Sequence, residues 1–181
     1  RIQVLPLTSE SLVRCLAVAG APLTQKVVRT ALNPERKAFF DAVQNSRIAY
    51  IAKTSGTKES DTIQCYHDHI RRAVLAHLSP ARRSDMHGRI ATALDQVEGE
   101  KADAYTMVRQ LSASDQNLRA ADRALKAGKI AVAGMAFDQG AELFQIALKL
   151  GEFSGEKKQE IVLNLAEALC FAGRALESAE A

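Results

Sequence analysis

The residue types best suited to chemistry in this chain fall in one short segment, Cys65-Tyr66-His67-Asp68-His69-Ile70-Arg71-Arg72. His67 and Asp68 stand where an alternating apolar run gives way to a helical period, so they mark a helix N-terminus. Backbone N–H groups are unpaired there and the helix dipole favours anions. A histidine at that place can hydrogen-bond a phosphate, and an aspartate can cap the helix and hold its geometry. Two other chemistries are excluded on spacing. His67 and His69 are two residues apart and point to different faces of a helix, and no cysteine or acid completes a ligand set, so no metal centre is expected. Cys65 falls on the apolar face of an alternating run, which makes it a small core residue rather than a nucleophile. No catalytic constellation is present, and no enzymatic activity is expected of this chain.

The elements that position the segment follow from periodicity. Ser9 is a plausible cap for a helix over 9–20 with Leu12, Val13 and Leu16 inward, ended by Gly20. Pro22 opens a turn and Thr24 caps a second helix carrying Val27, Val28 and Leu32. Asn33-Pro34-Glu35 reads as the start of a third helix, running to about Gln44 and burying Phe39, Phe40 and Val43. The period then becomes two. Ile48, Tyr50 and Ala52, then Ile63 and Cys65, alternate across a polar stretch from Thr54 to Asp61, which predicts a β-hairpin. Three helices and a hairpin form the layout of a winged helix-turn-helix. Helical period returns at Asp68, with Ile70, Ala73, Val74, His77 and Leu78 on one face. Ser79-Pro80 caps the next helix, with Met86, Ile90, Ala93, Leu94 and Val97 inward and Gly99 closing it. Helices are expected near 101–112, 116–133, 137–150, 156–172 and from 174 onward.

The fold class expected is therefore mainly α: a winged helix-turn-helix with a β-hairpin wing over 1–78, connecting helices over 79–114, and helical repeats over 115–181. The repeat reading rests on Gly128, Gly140, Phe144 and Ala147, which fall at the small and aromatic positions of a tetratricopeptide unit. Ala166, Leu169 and Gly173 begin a second. Gly128 and Ala166 are 38 residues apart, against a usual period of about 34, and the extra length fits a loop over 151–158. Stacked units of this kind offer a surface to a protein partner or effector.

Composition agrees. Apolar residues form 47% of the 181 and aromatics only 5%, with no tryptophan, which favours closely packed helices. The net charge of +3 is too small to argue for nucleic acid by itself. The three cysteines are scattered and odd in number, which fits a reducing, cytoplasmic compartment. No run of residues is long and apolar enough to span a membrane. The chain opens inside an apolar stretch and closes inside a helical pattern, so a longer parent protein is expected on both sides.

Tyr66-His67-Asp68 followed by Ile70-Arg71 resembles the histidine–aspartate motif that ends the winged-helix domain of signal-transduction ATPases with numerous domains, the STAND class. Leu16-Ala17-Val18-Ala19-Gly20-Ala21-Pro22-Leu23 resembles the first winged-helix helix and turn of its bacterial members. Met86-His87-Gly88-Arg89-Ile90-Ala91 is similar to the helix after the motif, and Ala136-Phe137-Asp138-Gln139-Gly140-Ala141-Glu142-Leu143-Phe144 to the helical repeats. The resemblance implies that His67 reads the β-phosphate of ADP held in an upstream nucleotide-binding domain, with Asp68 as its structural partner. ADP or ATP would belong to the parent protein. No cofactor is expected in this chain, because Gly128-Lys129-Ile130 and Gly56-Thr57-Lys58 do not fit a phosphate-binding loop.

A winged helix can also bind DNA through its third helix. Arg36 and Lys37 near the start of that helix, and Arg47 beyond it, are the candidate DNA or interdomain contacts. Glu35, Asp41 and the apolar Phe39-Phe40 and Ala42-Val43 pairs oppose that role. The pairs Arg71-Arg72 and Arg82-Arg83 read as a solvated or interdomain face.

Overall fold

A computed structural model describes residues 7–174. The chain is mainly α. Among the described residues are nine α-helices and one small antiparallel sheet of three strands, which lies towards the N-terminus. The chain divides into two compact units, the boundary falling between Ala102 and Asp103. The segment expected to connect two domains is thus shared: its first helix belongs to the first unit and its second to the other.

In the first unit, α1 (Leu7–Ala19) is the centre. Leu12, Val13, Cys15, Leu16, Ala17, Val18 and Ala19 are all buried. A helix apolar nearly all round has to be covered on every side, and α1 packs against four helices and a strand. Ser9 is buried within α1 rather than capping it. Gly20 takes the left-handed conformation (φ 64°) that stops the helix. The chain then enters β1 (Leu23–Thr24) and α2 (Gln25–Leu32), with the Thr24 hydroxyl accepting from the Val27 N–H at 3.3 Å.

Asn33 does not start the third helix. Its φ of 50° makes it the left-handed cap that ends α2, its N–H donating to the Arg29 carbonyl. The next helix, α3 (Arg36–Ile48), begins after Glu35 and runs a full turn beyond Gln44. Ile48, expected in a strand, is its last residue and is 75% exposed. Tyr50 has a φ of 54° and lies in a turn. The strands that follow are shorter than the alternation suggests: β2 (Ala52–Thr54) and β3 (Thr62–Cys65). They pair with Ala52 opposite Cys65 and Lys53 opposite Gln64. β1 completes the sheet on the other edge of β3, Leu23 opposite Ile63.

The hairpin loop is tied to α2. Gln25 and Lys26, at the start of that helix, donate their N–H groups to the carbonyls of Asp61 and Glu59 at 2.9 and 2.8 Å. The buried Gln25 amide reaches the Gly56 carbonyl at 3.1 Å. These bonds satisfy donors that a helix start leaves unpaired. α4 (Asp68–Ala76) and α5 (Pro80–Val97) finish the unit. Ser79 caps α5 with Pro80 in its first turn. A short 3-10 turn, Gly99–Lys101, follows.

The second unit is four helices packed in series: α6 (Ala104–Ser112), α7 (Asn117–Ala133), α8 (Phe137–Leu150) and α9 (Gly155–Phe171). Each meets chiefly its neighbours in sequence. The small residues face inward, Ala120, Ala121, Ala124 and Gly128 from α7, Gly140, Ala141 and Ala147 from α8. Phe144 is fully buried and its ring lies over Gly128. Further along, Leu169 is buried, Ala166 is half-buried, and Gly173 turns the chain at a φ of 77°. The helix expected from 174 onward lies outside the described residues except for Arg174, which is not helical. Among the described residues, no helix is long and apolar enough to cross a membrane.

Candidate functional site

β3 delivers the chain to the site and α4 carries it away. After Cys65, the Tyr66 N–H donates to the Ile51 carbonyl at 2.8 Å, which fixes the exit from the hairpin. His67 then takes an extended conformation (φ −134°, ψ 149°) at the N-cap position of α4, and its carbonyl accepts from the Ile70 N–H at 3.1 Å. Its imidazole makes no capping bond and is exposed. The ring instead lies between two others, edge-on to Tyr66 at 4.6 Å and stacked with His69 at 5.2 Å. Tyr66 meets Tyr50 at 5.7 Å, so four rings run in a row across this face.

Asp68 is the first residue inside α4. Its carboxylate pairs with Arg72 at 3.0 Å and stands 3.7 Å from Arg71. Both pairs are at least a third exposed, which limits each to about 1 kcal/mol or less. Asp68 therefore supports the first turn from within, while His67 occupies the cap. Arg71, one turn after His67, donates from Nε to the Ala17 carbonyl at 3.1 Å and anchors α4 on the end of α1.

An open groove of about 230 Å³ lies here. Lys53 of β2, Gln64 of β3, the N-cap His67, and Asp68 and Arg71 of α4 line it, together with Leu16, Gly20 and Ala21. Lys53 and Gln64 are directly opposite in the ladder. Two cations from different elements thus face the groove together with His67. Sequence reading left Arg71 on a solvated or interdomain face. The four-residue step from His67 to Arg71 was the available signal, since residues four apart share a helical face.

The groove holds no activated thiol. Burial pushes the Cys65 thiol up to about 11, Asp68 adding to the rise and Arg71 opposing it. Burial is the main cause that raises Cys15 to about 12, with Arg89 opposing and Cys65 adding to the rise. Among the described residues, no group of three His, Cys, Asp or Glu side chains could hold a metal ion.

The other candidate residues are not brought together with His67. Arg36 is 3.5 Å from Glu59 of the hairpin loop, which also pairs with Arg29, and its guanidinium lies over the Phe40 ring at 5.9 Å. Lys37 is exposed beside it. Arg47 is at the far end of α3, about 16 Å away along the axis, where its Nη1 donates to Gln44 at 3.4 Å. None of the three lines the groove. No known protein family, no curated protein and no solved structure matches this chain.

Proposed function

We propose that this chain is the regulatory arm of a multidomain, cytoplasmic signal-transduction ATPase of the STAND class, without the ATPase core. The first unit is read as a winged helix that docks on a nucleotide-binding domain and holds its ADP state. The second is read as a short array of tetratricopeptide-like repeats that takes an effector or partner protein. The observation that carries the proposal is His67, an exposed imidazole at the N-cap of α4, held between Tyr66 and His69 and facing a groove shared with Lys53 and Arg71. Such a ring is oriented by its neighbours, leaves its polar atoms free of the cap, and stands where backbone dipole and side chains both favour an anion. The order helix, short strand, two helices, hairpin supports the winged-helix reading. The close seat of Phe144 over Gly128 supports the repeat reading.

In this scheme the β-phosphate of ADP meets His67, and the contact favours a locked over an open arrangement. An effector on the repeats shifts that equilibrium by binding the open form better. The test is His67→Ala in the full-length protein, with release of a fluorescent ADP analogue followed by stopped flow. Faster release and higher basal output are expected. Unchanged release in a folded variant refutes the sensor role.

A second reading is a DNA-binding regulator with a helical sensor domain. It is favoured by the extra turn of α3, which adds exposed Asn45 and Arg47 to a strip with Lys37 and Gln44. It predicts an affinity for duplex DNA that falls steeply with salt and weakens on every sequence in the Arg36→Ala, Lys37→Ala double variant. The ion pair of Arg36 with Glu59 weighs against it.

A further inference from the structure

We infer that Lys53 is a second phosphate-binding residue, and that with His67 and Arg71 it makes this groove a diphosphate site belonging to the chain itself. The inference rests on the sensor reading for its biological setting, and on the groove alone for its chemistry. Lys53 is the middle residue of β2, and its neighbours set its direction. Ala52 is buried and Lys53 exposed, as strand alternation requires. The register places Lys53 opposite Gln64, two residues before Tyr66, so the strand pair carries the ammonium to the mouth of the groove.

The charges around the groove favour an anion. Lys53 and Arg71 line it, and the only carboxylate in the lining, Asp68, is already paired with Arg72 and Arg71. The Arg71 guanidinium has its Nε committed to the Ala17 carbonyl and its Nη1 3.7 Å from Asp68, which leaves Nη2 as a donor for a ligand. The three groups come from two elements. A diphosphate offers two phosphoryl groups, one for the β2 ammonium and one for His67 and Arg71. The volume of about 230 Å³ is smaller than the range of about 300–1,000 Å³ usual for drug-sized ligands, which suits a diphosphate group and not a whole nucleotide.

The test uses the 181-residue chain and inorganic pyrophosphate, with ADP and adenosine as further probes, followed by calorimetry and by the imidazole resonances of His67. Pyrophosphate is expected to bind and move the His67 signals, and Lys53→Ala to weaken it at least fivefold. Lys58→Ala, an equal loss of charge in the hairpin loop outside the groove, is expected to change it less than twofold. ADP binding as well as pyrophosphate identifies the phosphates as the recognised group, and ADP binding better identifies a nucleotide as their source. Adenosine binding as well as ADP, a Lys53→Ala variant with wild-type affinity, or an equal loss in Lys58→Ala overturns the inference. If Lys53→Ala loses pyrophosphate while His67→Ala leaves ADP release in the full-length protein unchanged, the site stands and the regulatory reading falls. The reverse pattern spares the reading and removes Lys53 from it.

Discussion

A side chain at position 128 would collide with Phe144: a Cβ built on Gly128 stands 2.8 Å from the ring. Both residues are buried, on adjacent helices α7 and α8. The ring edge can approach the α7 backbone because nothing projects there. Gly140 allows the reciprocal approach, with a Cβ at that position 2.5 Å from Val132 Cγ2.

Gly128→Ala therefore sets two effects against each other. Helix propensity favours alanine by about 1 kcal/mol, and forcing a methyl into a packed interface costs about 1–3 kcal/mol. A net loss of about 1 kcal/mol is expected in urea unfolding of the second unit. Phe144→Ala is expected to cost about 3–5 kcal/mol. Combining Gly128→Ala with Phe144→Leu is expected to cost less than the sum of the two, because the smaller side chain makes room. An additive double variant contradicts the contact.

The first unit is expected to lose stability from about pH 9 upward. Burial raises the Cys15 thiol from 9.0 to about 12. Between those values the unfolded chain releases a proton that the folded chain keeps, so rising pH favours unfolding. Below pH 9 both states hold the proton and the effect is absent. Thermal melts from pH 8 to 11 measure the slope, and Cys15→Ala is expected to reduce it, the raised Cys65 thiol keeping the remainder. Thiol labelling at pH 8 gives a companion readout: Cys170, which is exposed, reacts first, and Cys15 reacts only on unfolding.

Asn33 holds the left-handed turn between α2 and α3. A β-branched residue there is strained, and Asn33→Val is expected to cost about 1–2 kcal/mol. Asn33→Gly, which meets the same φ without strain, is expected to stay within a few tenths of the wild type. Equal stability of the two variants in denaturant melts runs against this account.

Lys129 of α7 and Glu160 of α9 form an exposed ion pair at 2.6 Å. The hydrogen bond from Lys129, and then its charge, lower the Glu160 carboxyl below its ordinary value. A lowered carboxyl contributes above its unfolded pKa, and the contribution is lost as pH falls through the folded value. Lys129→Met is expected to have a small, salt-sensitive effect near neutral pH and none in strong acid. An effect that persists in acid, followed by circular dichroism, assigns the loss to packing.

How much could be read in advance depended on how local the cause was. The caps at Thr24 and Ser79 were legible because each bond spans three residues. The boundaries of α7 to α9 followed from their apolar period, while α6 begins three residues later than expected, after a 3-10 turn. Asn33 was read for the wrong helix because the residue type suits both a start and a left-handed stop, and the following proline favoured the first. Ile48 and Tyr50 alternate with apolar neighbours over too few positions to separate a strand from a helix end. β1 was invisible: two residues become a strand only because β3 lies alongside. The same holds for the groove. His67 and Asp68 announced a helix start, but Lys53 joins them through a cross-strand register that no local pattern encodes.

The second unit has a mechanical consequence. Its helices meet mainly the next one along, so each junction is a separate hinge with its own stiffness, and the array behaves as springs joined end to end. Tension or a ligand at one end reaches the other chiefly through the intervening junctions, with the Lys129–Glu160 pair as a direct tie from α7 to α9. The softest seam then sets the compliance of the whole. The Gly128–Phe144 seat draws two of these backbones together over a buried ring.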